Sequence, residues 1–243
     1  MSKKIKDPNA KSSGFVVGLI ALVAIVAAVI AAVFYFGQKE SSEDLPGDEV
    51  NFTVSADNGV ITLAKDGAED ATTAAVYEDF SCHYCAEMSV GGHADELAAL
   101  NNGDMVVEYR LLNFLDGGAE GHSTRALAVM NRIAETGDAH LFWNFHTLLM
   151  RDQQGAASWD FADYADQIDK MGGDDELVDD VKDGLDMKAA ATIGKANGEN
   201  LKKTLDTDSV TSPHVVVDGK DILLNAPNGG LGEWVKLVLD AGK

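Results

Sequence analysis

The two cysteines of the chain, Cys82 and Cys85, lie three positions apart in the stretch FSCHYCAEM. Near the start of a helix, residues at i and i+3 share one face, so the two sulfurs can form or open a disulfide with little backbone movement. A bridge across so short a loop constrains the unfolded chain weakly and adds little stability. The spacing therefore favours thiol–disulfide exchange over a structural bridge.

The two sulfurs are predicted to have different roles. The unpaired N–H groups and the positive dipole at a helix N-terminus lower the pKa of Cys82. Cys82 is therefore the predicted nucleophile, and Cys85, one turn later, is predicted to resolve the mixed disulfide. Protonated His83 would favour the thiolate. The sequence leaves open whether nearby carboxylates outweigh that charge, namely those of Glu78, Asp79 and Glu87.

A metal site is the main alternative, because Cys-x-x-Cys is also half of a structural zinc site. The other half would need a second Cys or His pair at short spacing, and the remaining histidines outside the motif are scattered singly. We therefore predict no metal and no bound cofactor, with these histidines at the surface or satisfied in the core. They are His93, His122, His140, His146 and His214.

A strand, a helix and a second strand must position the cysteine pair. The short apolar run 74–80 predicts a strand that leads directly into Cys82, residues 86–100 are rich in helix formers, and 105–112 is a β-type run. This order predicts a β–α–β unit. Upstream, two strand-like runs flank Asn58-Gly59, which predicts a β-hairpin.

The remainder of the chain predicts a helical block and a second hairpin. Apolar residues recur at helical spacing over 122–150 and 159–205. The run 215–217, a turn at 218–219 and the run 222–224 predict the hairpin, and residues 231–239 a final helix. Three clustered aromatic residues in the helical block suit core packing: Phe142, Trp143 and Phe145.

Residues 14–36 contain no charged side chain, and at 1.5 Å per residue they reach about 34 Å, enough for the roughly 30 Å bilayer core. They predict a single transmembrane helix between a basic cytoplasmic N-terminus, 1–13, and an extracytoplasmic linker, 37–49. A cleaved signal is the alternative, but its apolar region would be shorter and would end at a small-x-small site. Both interpretations export the remainder of the chain, because the positive flank stays inside.

The exported part is strongly acidic. Four of the 19 basic residues and one of the 40 acidic residues precede residue 14, which leaves 15 against 39 beyond the apolar run. Such a charge disfavours binding to nucleic acid and to anionic lipid surfaces. We interpret it as a solvated acidic surface.

Two segments resemble the DsbA-like thiol–disulfide oxidoreductases: VYEDFSCHYC at 76–85 and VTSPHVVVDGK at 210–220. The resemblance implies an α/β thioredoxin-like fold over residues 50–243, with an inserted helical domain at about 120–205. In that family a cis-proline before the second hairpin faces the cysteine pair. The resemblance therefore implies that the Ser212–Pro213 bond is cis, that Pro213 faces Cys82, and that this loop binds the client.

The chain departs from the family pattern at positions that set the redox potential. His83 stands where the family usually has Pro, and Ser212 where many members have Thr or Val. We expect His83 and Tyr84, between the cysteines, to tune the potential. Some members carry an acidic proton relay at the position of Val76, and Glu78 either substitutes for it or is merely exposed.

These features predict a membrane-tethered, extracytoplasmic enzyme that donates its Cys82–Cys85 disulfide to reduced exported proteins. The resemblance implies a re-oxidising, quinone-linked membrane partner. Two alternatives stay open. One is a reductase or isomerase kept reduced by a membrane electron donor, and the other is a non-catalytic peptide-binding or chaperone module that uses the surface near Pro213.

Overall fold

A mixed six-stranded sheet carries the segment that contains the cysteines. The computed structural model describes residues 45–226 and 230–242. The predicted basic N-terminus, the predicted transmembrane helix and most of the predicted linker lie outside the described residues. Within the described ranges, no helix is both long and apolar enough to cross a bilayer. The strands are β1 (Thr53–Asp57), β2 (Val60–Ala64), β3 (Thr72–Glu78), β4 (Met105–Leu111), β5 (His214–Val217) and β6 (Lys220–Asp221).

The strand order is β1-β2-β4-β3-β5-β6. Strands β3 and β4 are parallel, with Glu78 opposite Leu111 at their ends, and the other neighbouring pairs are antiparallel. The crossover between β3 and β4 is a long helix, so the predicted β–α–β unit is confirmed. Because β5 lies on the other side of β3, its first residues are brought next to the end of β3, where the cysteine segment begins.

Helices between β4 and β5 form the predicted insertion, and the thioredoxin-like α/β fold with a helical insertion is confirmed. Among the described residues, short 3-10 segments occupy Phe114–Asp116, Leu223–Asn225 and Leu231–Glu233. The helices in the described part of the chain are α1 (His83–Asn102), α2 (His122–Thr136), α3 (Ala139–Arg151), α4 (Gln153–Ala156), α5 (Phe161–Lys170), α6 (Asp175–Asp183), α7 (Met187–Leu205) and α8 (Trp234–Ala241).

Aspartate side chains begin five described helices of the insertion by accepting hydrogen bonds from first-turn N–H groups. Such a cap stabilises a helix by about 1 kcal/mol relative to alanine. Part of the acidic composition therefore sets helix boundaries in addition to forming a solvated surface. The capping residues are Asp138, Asp152, Asp160, Asp174 and Asp186.

The first predicted hairpin is confirmed, and the second is confirmed only in part. Asn58 and Gly59 both have positive φ, 49° and 78°, as a tight two-residue hairpin turn requires. The prediction of a strand at 222–224 is wrong, because β6 ends at Asp221 and a 3-10 segment follows. The carboxylate of Asp221 accepts a hydrogen bond from Leu223 N–H (3.0 Å), and this local turn ends the strand.

The predicted aromatic core and the end of the predicted linker meet at α3. Phe142, Trp143 and Phe145 are all buried, as expected. The carboxylate of Asp48 accepts hydrogen bonds from Trp143 Nε1 (3.2 Å) and pairs with His93 Nε2 (2.7 Å). Asp48 lies within the predicted linker, and it is held against the domain by these two contacts.

Helix α1 begins at the cysteine pair and packs closely against the C-terminal helix. A Cβ atom at Gly92 would lie 2.2 Å from Nε1 of Trp234, and one at Gly91 would lie 2.8 Å from the Cα atom of Gly232. Trp234 is itself fully buried. The two glycines of α1 therefore allow α8 and the preceding segment to approach the helix that carries the cysteines.

Gly92→Ala is expected to destabilise the fold. The added methyl group collides with a rigid buried indole, and such overpacking costs about 1–3 kcal/mol, which exceeds the roughly 1 kcal/mol by which Ala favours a helix interior over Gly. Urea unfolding measures the difference. Val90→Ala is the control, because Val90 is on the same helix and 51% exposed, and its effect should stay within about 0.5 kcal/mol. Stabilisation by Gly92→Ala would contradict the close packing.

Candidate active site

Cys82 is the N-cap residue of α1, and Cys85 lies in its first turn. The chain leaves β3 at Glu78, and Cys82 N–H donates to the carbonyl of Asp79 (2.9 Å), which turns the backbone into the helix. The carbonyl of Cys82 then accepts the helical hydrogen bond from Ala86 N–H (3.2 Å). Both cysteines are free thiols in this structure. The N-terminus of α1 thus points its unpaired N–H groups toward Cys82.

The pKa of Cys82 is lowered to about 5. The largest cause is a hydrogen bond from the thiol of Cys85, and burial opposes it. The hydroxyl of Ser212 and the N–H groups of Cys85 and Tyr84 lower the pKa further. A hydrogen bond to the charged form of a group favours that form. Cys82 is therefore a thiolate at neutral pH when the pair is reduced.

Cys85 has the opposite electrostatic character. Burial raises its pKa far above the ordinary value, and the neighbouring sulfur of Cys82 and the charge of Glu78 raise it further. Cys85 is fully buried, whereas Cys82 is 8% exposed. Its proton is retained and is donated to the sulfur of Cys82. The two predicted roles therefore fall on sulfurs that differ in both access and charge.

The loop before β5 closes the site from the other side. The Ser212–Pro213 bond is cis, as the family resemblance implies. The Sγ atom of Cys82 lies 3.5 Å from the carbonyl oxygen of Ser212. The hydroxyl of Ser212 is buried and has no conventional hydrogen-bond partner among the described residues, and it lowers the pKa of both thiols. The predicted residues Cys82, Cys85, Ser212 and Pro213 are thus brought together.

His83 and Tyr84, between the cysteines, are exposed to solvent. Tyr84 is 60% exposed, and the two rings lie 5.8 Å apart in a tilted arrangement. Their backbone forms the first turn of α1, and the N–H of Tyr84 acts on the sulfur of Cys82. Their side chains form the surface next to Cys82.

Asp79 has a role that the sequence did not indicate. Its fully buried carboxylate accepts hydrogen bonds from Ser81 N–H (2.9 Å), Leu115 N–H (3.2 Å) and the hydroxyl of Ser123 (2.5 Å). Burial raises its pKa to about 6, and these hydrogen bonds oppose the rise. Its own N–H points to the sulfur of Cys85 (3.5 Å). Asp79 therefore ties the cysteine loop to the segment after β4 and to the start of α2.

Glu78 is buried, so of the two alternatives that the sequence left open, mere exposure is wrong. Its Oε1 atom pairs with Nε2 of His146 at 2.6 Å, and both side chains are almost completely inaccessible. Burial lowers the pKa of His146, but the charge and hydrogen bond of Glu78 raise it more, and the result is a raised pKa. The other oxygen of Glu78 has no partner among the described residues. Val76, at the position of the family's acidic relay, is fully buried in the hydrophobic core.

Gln153 is a further contact that sequence reasoning missed. Its side-chain Nε2 donates to the carbonyl oxygen of Cys82 at 3.0 Å. Gln153 is the first residue of α4, far from the cysteines in sequence. No motif marks it, because a single glutamine in a helical block carries no spacing signal. The insertion therefore contacts the backbone of the reactive cysteine directly.

Each of the five histidines outside the motif either has a polar partner or is exposed. Across 45–226 and 230–242, no three His, Cys, Asp or Glu side chains are grouped as a metal site would need. His93, His146 and His214 pair with carboxylates, and Nδ1 of His122 lies 3.2 Å from the hydroxyl of Tyr164. His140 is exposed.

Replacement of Cys85 tests the cause of the low pKa. Cys85→Ala removes the main hydrogen-bond donor to the thiolate, so the pKa of Cys82 should rise from about 5 by on the order of one unit. Cys85→Ser keeps an O–H donor and should retain most of the low value. The ultraviolet absorbance of the thiolate during a pH titration measures both variants. Equal midpoints in the two variants would show that the Cys85 donor is not the cause.

Comparison with known proteins agrees with this geometry. The profile of the thioredoxin family matches residues 64–236. MdbA, a thiol-disulfide oxidoreductase from Corynebacterium diphtheriae, is 34% identical in sequence with a TM-score of 0.72, over 79% of this chain and 95% of that one. MdbA from Corynebacterium matruchotii is also 34% identical, with a TM-score of 0.71 over 77% and 93% of the two chains.

A more distant similarity links the chain to the serine/threonine-protein kinase PknE of Mycobacterium tuberculosis. The two are 26% identical over 159 residues. This alignment covers 63% of the present chain but only 27% of the kinase. The chain therefore spans about a quarter of the length of the curated relatives it matches.

The family profile covers well over half of the chain, and the two corynebacterial enzymes share more than 30% of their residues with it across almost their whole length. Their fold is that of the structure described above, including the sheet and the helical insertion. The chain therefore belongs to the thioredoxin family and is a DsbA-like thiol–disulfide oxidoreductase.

Proposed function

We propose that this enzyme is a membrane-tethered, extracytoplasmic oxidase that donates its Cys82–Cys85 disulfide to exported proteins. The supporting observation is the asymmetry of the two sulfurs. The pKa of Cys82 is lowered to about 5, while burial raises that of Cys85. A stabilised thiolate favours the reduced pair and so makes its disulfide a strong oxidant. Oxidation of clients is therefore favoured over reduction or isomerisation.

The proposed reaction consists of two exchange steps. A client thiolate attacks the Sγ atom of Cys82, forms a mixed disulfide, and breaks the Cys82–Cys85 bond, so that Cys85 leaves as a thiolate and takes up a proton. A second client thiolate then attacks the client sulfur of the mixed disulfide and releases Cys82 as a thiolate. Two electrons pass from the client to the enzyme. Cys82 is the nucleophile and Cys85 the resolving residue when the steps run in reverse.

Glu78 and His146 are proposed to serve the proton that Cys85 gains and loses. They form a buried pair at the end of β3, and the charge of Glu78 acts on the sulfur of Cys85. One oxygen of Glu78 is free of protein partners among the described residues, so it can accept a proton without breaking the contact to His146. This would give the substituted relay that the sequence left open.

Client binding is proposed at the surface around Cys82. Ser212 and Pro213 are half-buried, and the carbonyl oxygen of Ser212 lies 3.5 Å from the sulfur, while His83 and Tyr84 are exposed on the adjoining helix turn. An extended client strand that lies along this loop would bring its own sulfur to Cys82. Tuning of the potential of the pair by the side chains of His83, Tyr84 and Ser212 is part of this proposal.

The cellular setting rests on the sequence. The apolar run 14–36 and its N-terminal lysines support a single-pass anchor with a cytoplasmic N-terminus and an external domain. An external oxidase must be re-oxidised after each turnover, and we propose a quinone-linked membrane partner on the basis of family resemblance. The reaction requires no bound cofactor beyond the redox-active pair, and the strongly acidic domain does not favour nucleic acid.

The test is the oxidation of a reduced, unfolded protein by the full-length chain in its disulfide form. Thiol loss in the client should follow second-order kinetics, and Cys82→Ser should abolish it. Reduced Cys85→Ser, mixed with the same client in its disulfide form, should attack the client disulfide through Cys82 and form a mixed disulfide that persists, because the resolving thiol is missing. Non-reducing electrophoresis and mass spectrometry detect that species.

The alternatives predict different outcomes in the same assay. If wild-type protein mainly reduces or reshuffles client disulfides, the direction proposed here is wrong and the enzyme is a reductase or isomerase. A double Cys82→Ser, Cys85→Ser variant that retains full activity on clients would instead indicate a chaperone module. This double variant is the matched control, because it can still bind a client but cannot exchange disulfides with it.

A further inference from the structure

The loop that holds Ser212 against Cys82 has little backbone support of its own. Pairing between β3 and β5 begins at His214, opposite Tyr77. Within the described part of the chain, residues 210–213 make no backbone–backbone hydrogen bond to other segments. The side chain of Val210 packs in a small apolar cluster with Leu201 of α7. Between this anchor and β5, the position of Ser212 depends on side-chain contacts.

A chain of three side chains supplies such a contact. The hydroxyl of Thr211 lies 2.7 Å from Nε2 of His214, and Nδ1 of His214 lies 2.6 Å from Oδ2 of Asp221. A carboxylate only accepts hydrogen bonds, so Nδ1 carries a proton and donates it to Asp221. Thr211 directly precedes Ser212 in the loop. The chain therefore runs from the loop, through the first residue of β5, to β6.

The far end of this chain is firmly fixed. The side chain of Asp221 is 2% exposed, and its second oxygen accepts the N–H of Leu223 (3.0 Å). β6 is itself paired with β5 through Asp221 and Val216. Asp221 can therefore fix the ring of His214, and the ring can fix Thr211, which is exposed to solvent. The three side chains therefore form a brace, which connects the buried Asp221 of the sheet through the ring of His214 to the exposed Thr211 of the loop.

We propose that Thr211, His214 and Asp221 brace the loop so that Ser212 stays against the sulfur of Cys82, which makes His214 a positioning residue for disulfide exchange. This inference rests on the proposed role of Cys82 as nucleophile. The carbonyl oxygen of Ser212 is 3.5 Å from that sulfur, and its buried hydroxyl has no other described partner. Neither group is held there by a backbone ladder. Loss of the brace would let the loop move, and with it the hydroxyl of Ser212 that stabilises the thiolate.

The test compares variants that differ by one hydrogen bond. Thr211→Val removes the hydroxyl at an exposed position with little change of shape, and Thr211→Ser restores a hydroxyl. His214→Asn keeps an N–H that reaches toward Asp221 but loses the ring nitrogen that contacts the hydroxyl of Thr211. Thr192→Val is the control, because Thr192 is an exposed threonine that bonds only within α7.

Iodoacetamide alkylation of Cys82 in the reduced full-length chain at about pH 5, near its midpoint, gives the first measurement. We expect roughly threefold to tenfold slower alkylation in Thr211→Val and His214→Asn, corresponding to the loss of one hydrogen bond. Thr211→Ser and Thr192→Val should match wild type. Client oxidation by the disulfide form should slow in the same order, and urea unfolding should leave the stability of Thr211→Val within about 0.5 kcal/mol of wild type.

Two outcomes separate this inference from the proposed function. If wild-type Cys82 is not alkylated at low pH and does not oxidise clients, the proposed function fails, and the brace has nothing to position. If wild type behaves as proposed but Thr211→Val and His214→Asn match it in both rates, the brace alone is overturned. Rates that fall only in proportion to lost stability would show a structural role and would also overturn the proposal.

Discussion

The site depends on a negative charge held by a sulfur that is almost completely buried. Burial opposes the charge on Cys82, and four donors outweigh it: the thiol of Cys85, the hydroxyl of Ser212 and two N–H groups from the first turn of α1. These donors depend on three constraints of the fold. The helix must start at Cys82, β5 must lie next to β3, and Cys85 must stay too deeply buried to lose its own proton.

The surrounding carboxyl groups do not prevent the thiolate of Cys82 from forming, although the domain is strongly acidic. Glu78 is paired with buried His146, and Asp79 is surrounded by three donors while burial raises its pKa to about 6. Glu96 accepts a hydrogen bond from Tyr109 at 2.5 Å, and burial raises its pKa to about 7. Each of these carboxyl groups has a polar partner that offsets part of its charge. Of the three carboxylates whose effect the sequence left open, Glu78 and Asp79 are thus buried with polar partners.

Spacing patterns and turn signals predicted the parts of the structure that depend on local interactions. The alternation around Asn58, the strand–helix–strand order around the cysteines and the helical block all follow from periods of two and about 3.6 residues. The contacts that tune the site are not local. Gln153 reaches Cys82 across the insertion, and the burial of Glu78 depends on His146 from α3. The end of β6 was misplaced because a side-chain turn at Asp221 overrides the apolar run that follows.

The reduction potential of the Cys82–Cys85 pair tests the central claim most directly, because a stabilised thiolate favours the reduced state and raises the potential. The full-length chain is equilibrated in glutathione buffers, and its free thiols are alkylated and counted by mass spectrometry. A potential between about −120 and −180 mV is predicted, in the range of strong disulfide donors. A potential near about −270 mV, typical of thioredoxin-like reductants, would contradict the account, since the charge on Cys82 would then not favour the dithiol.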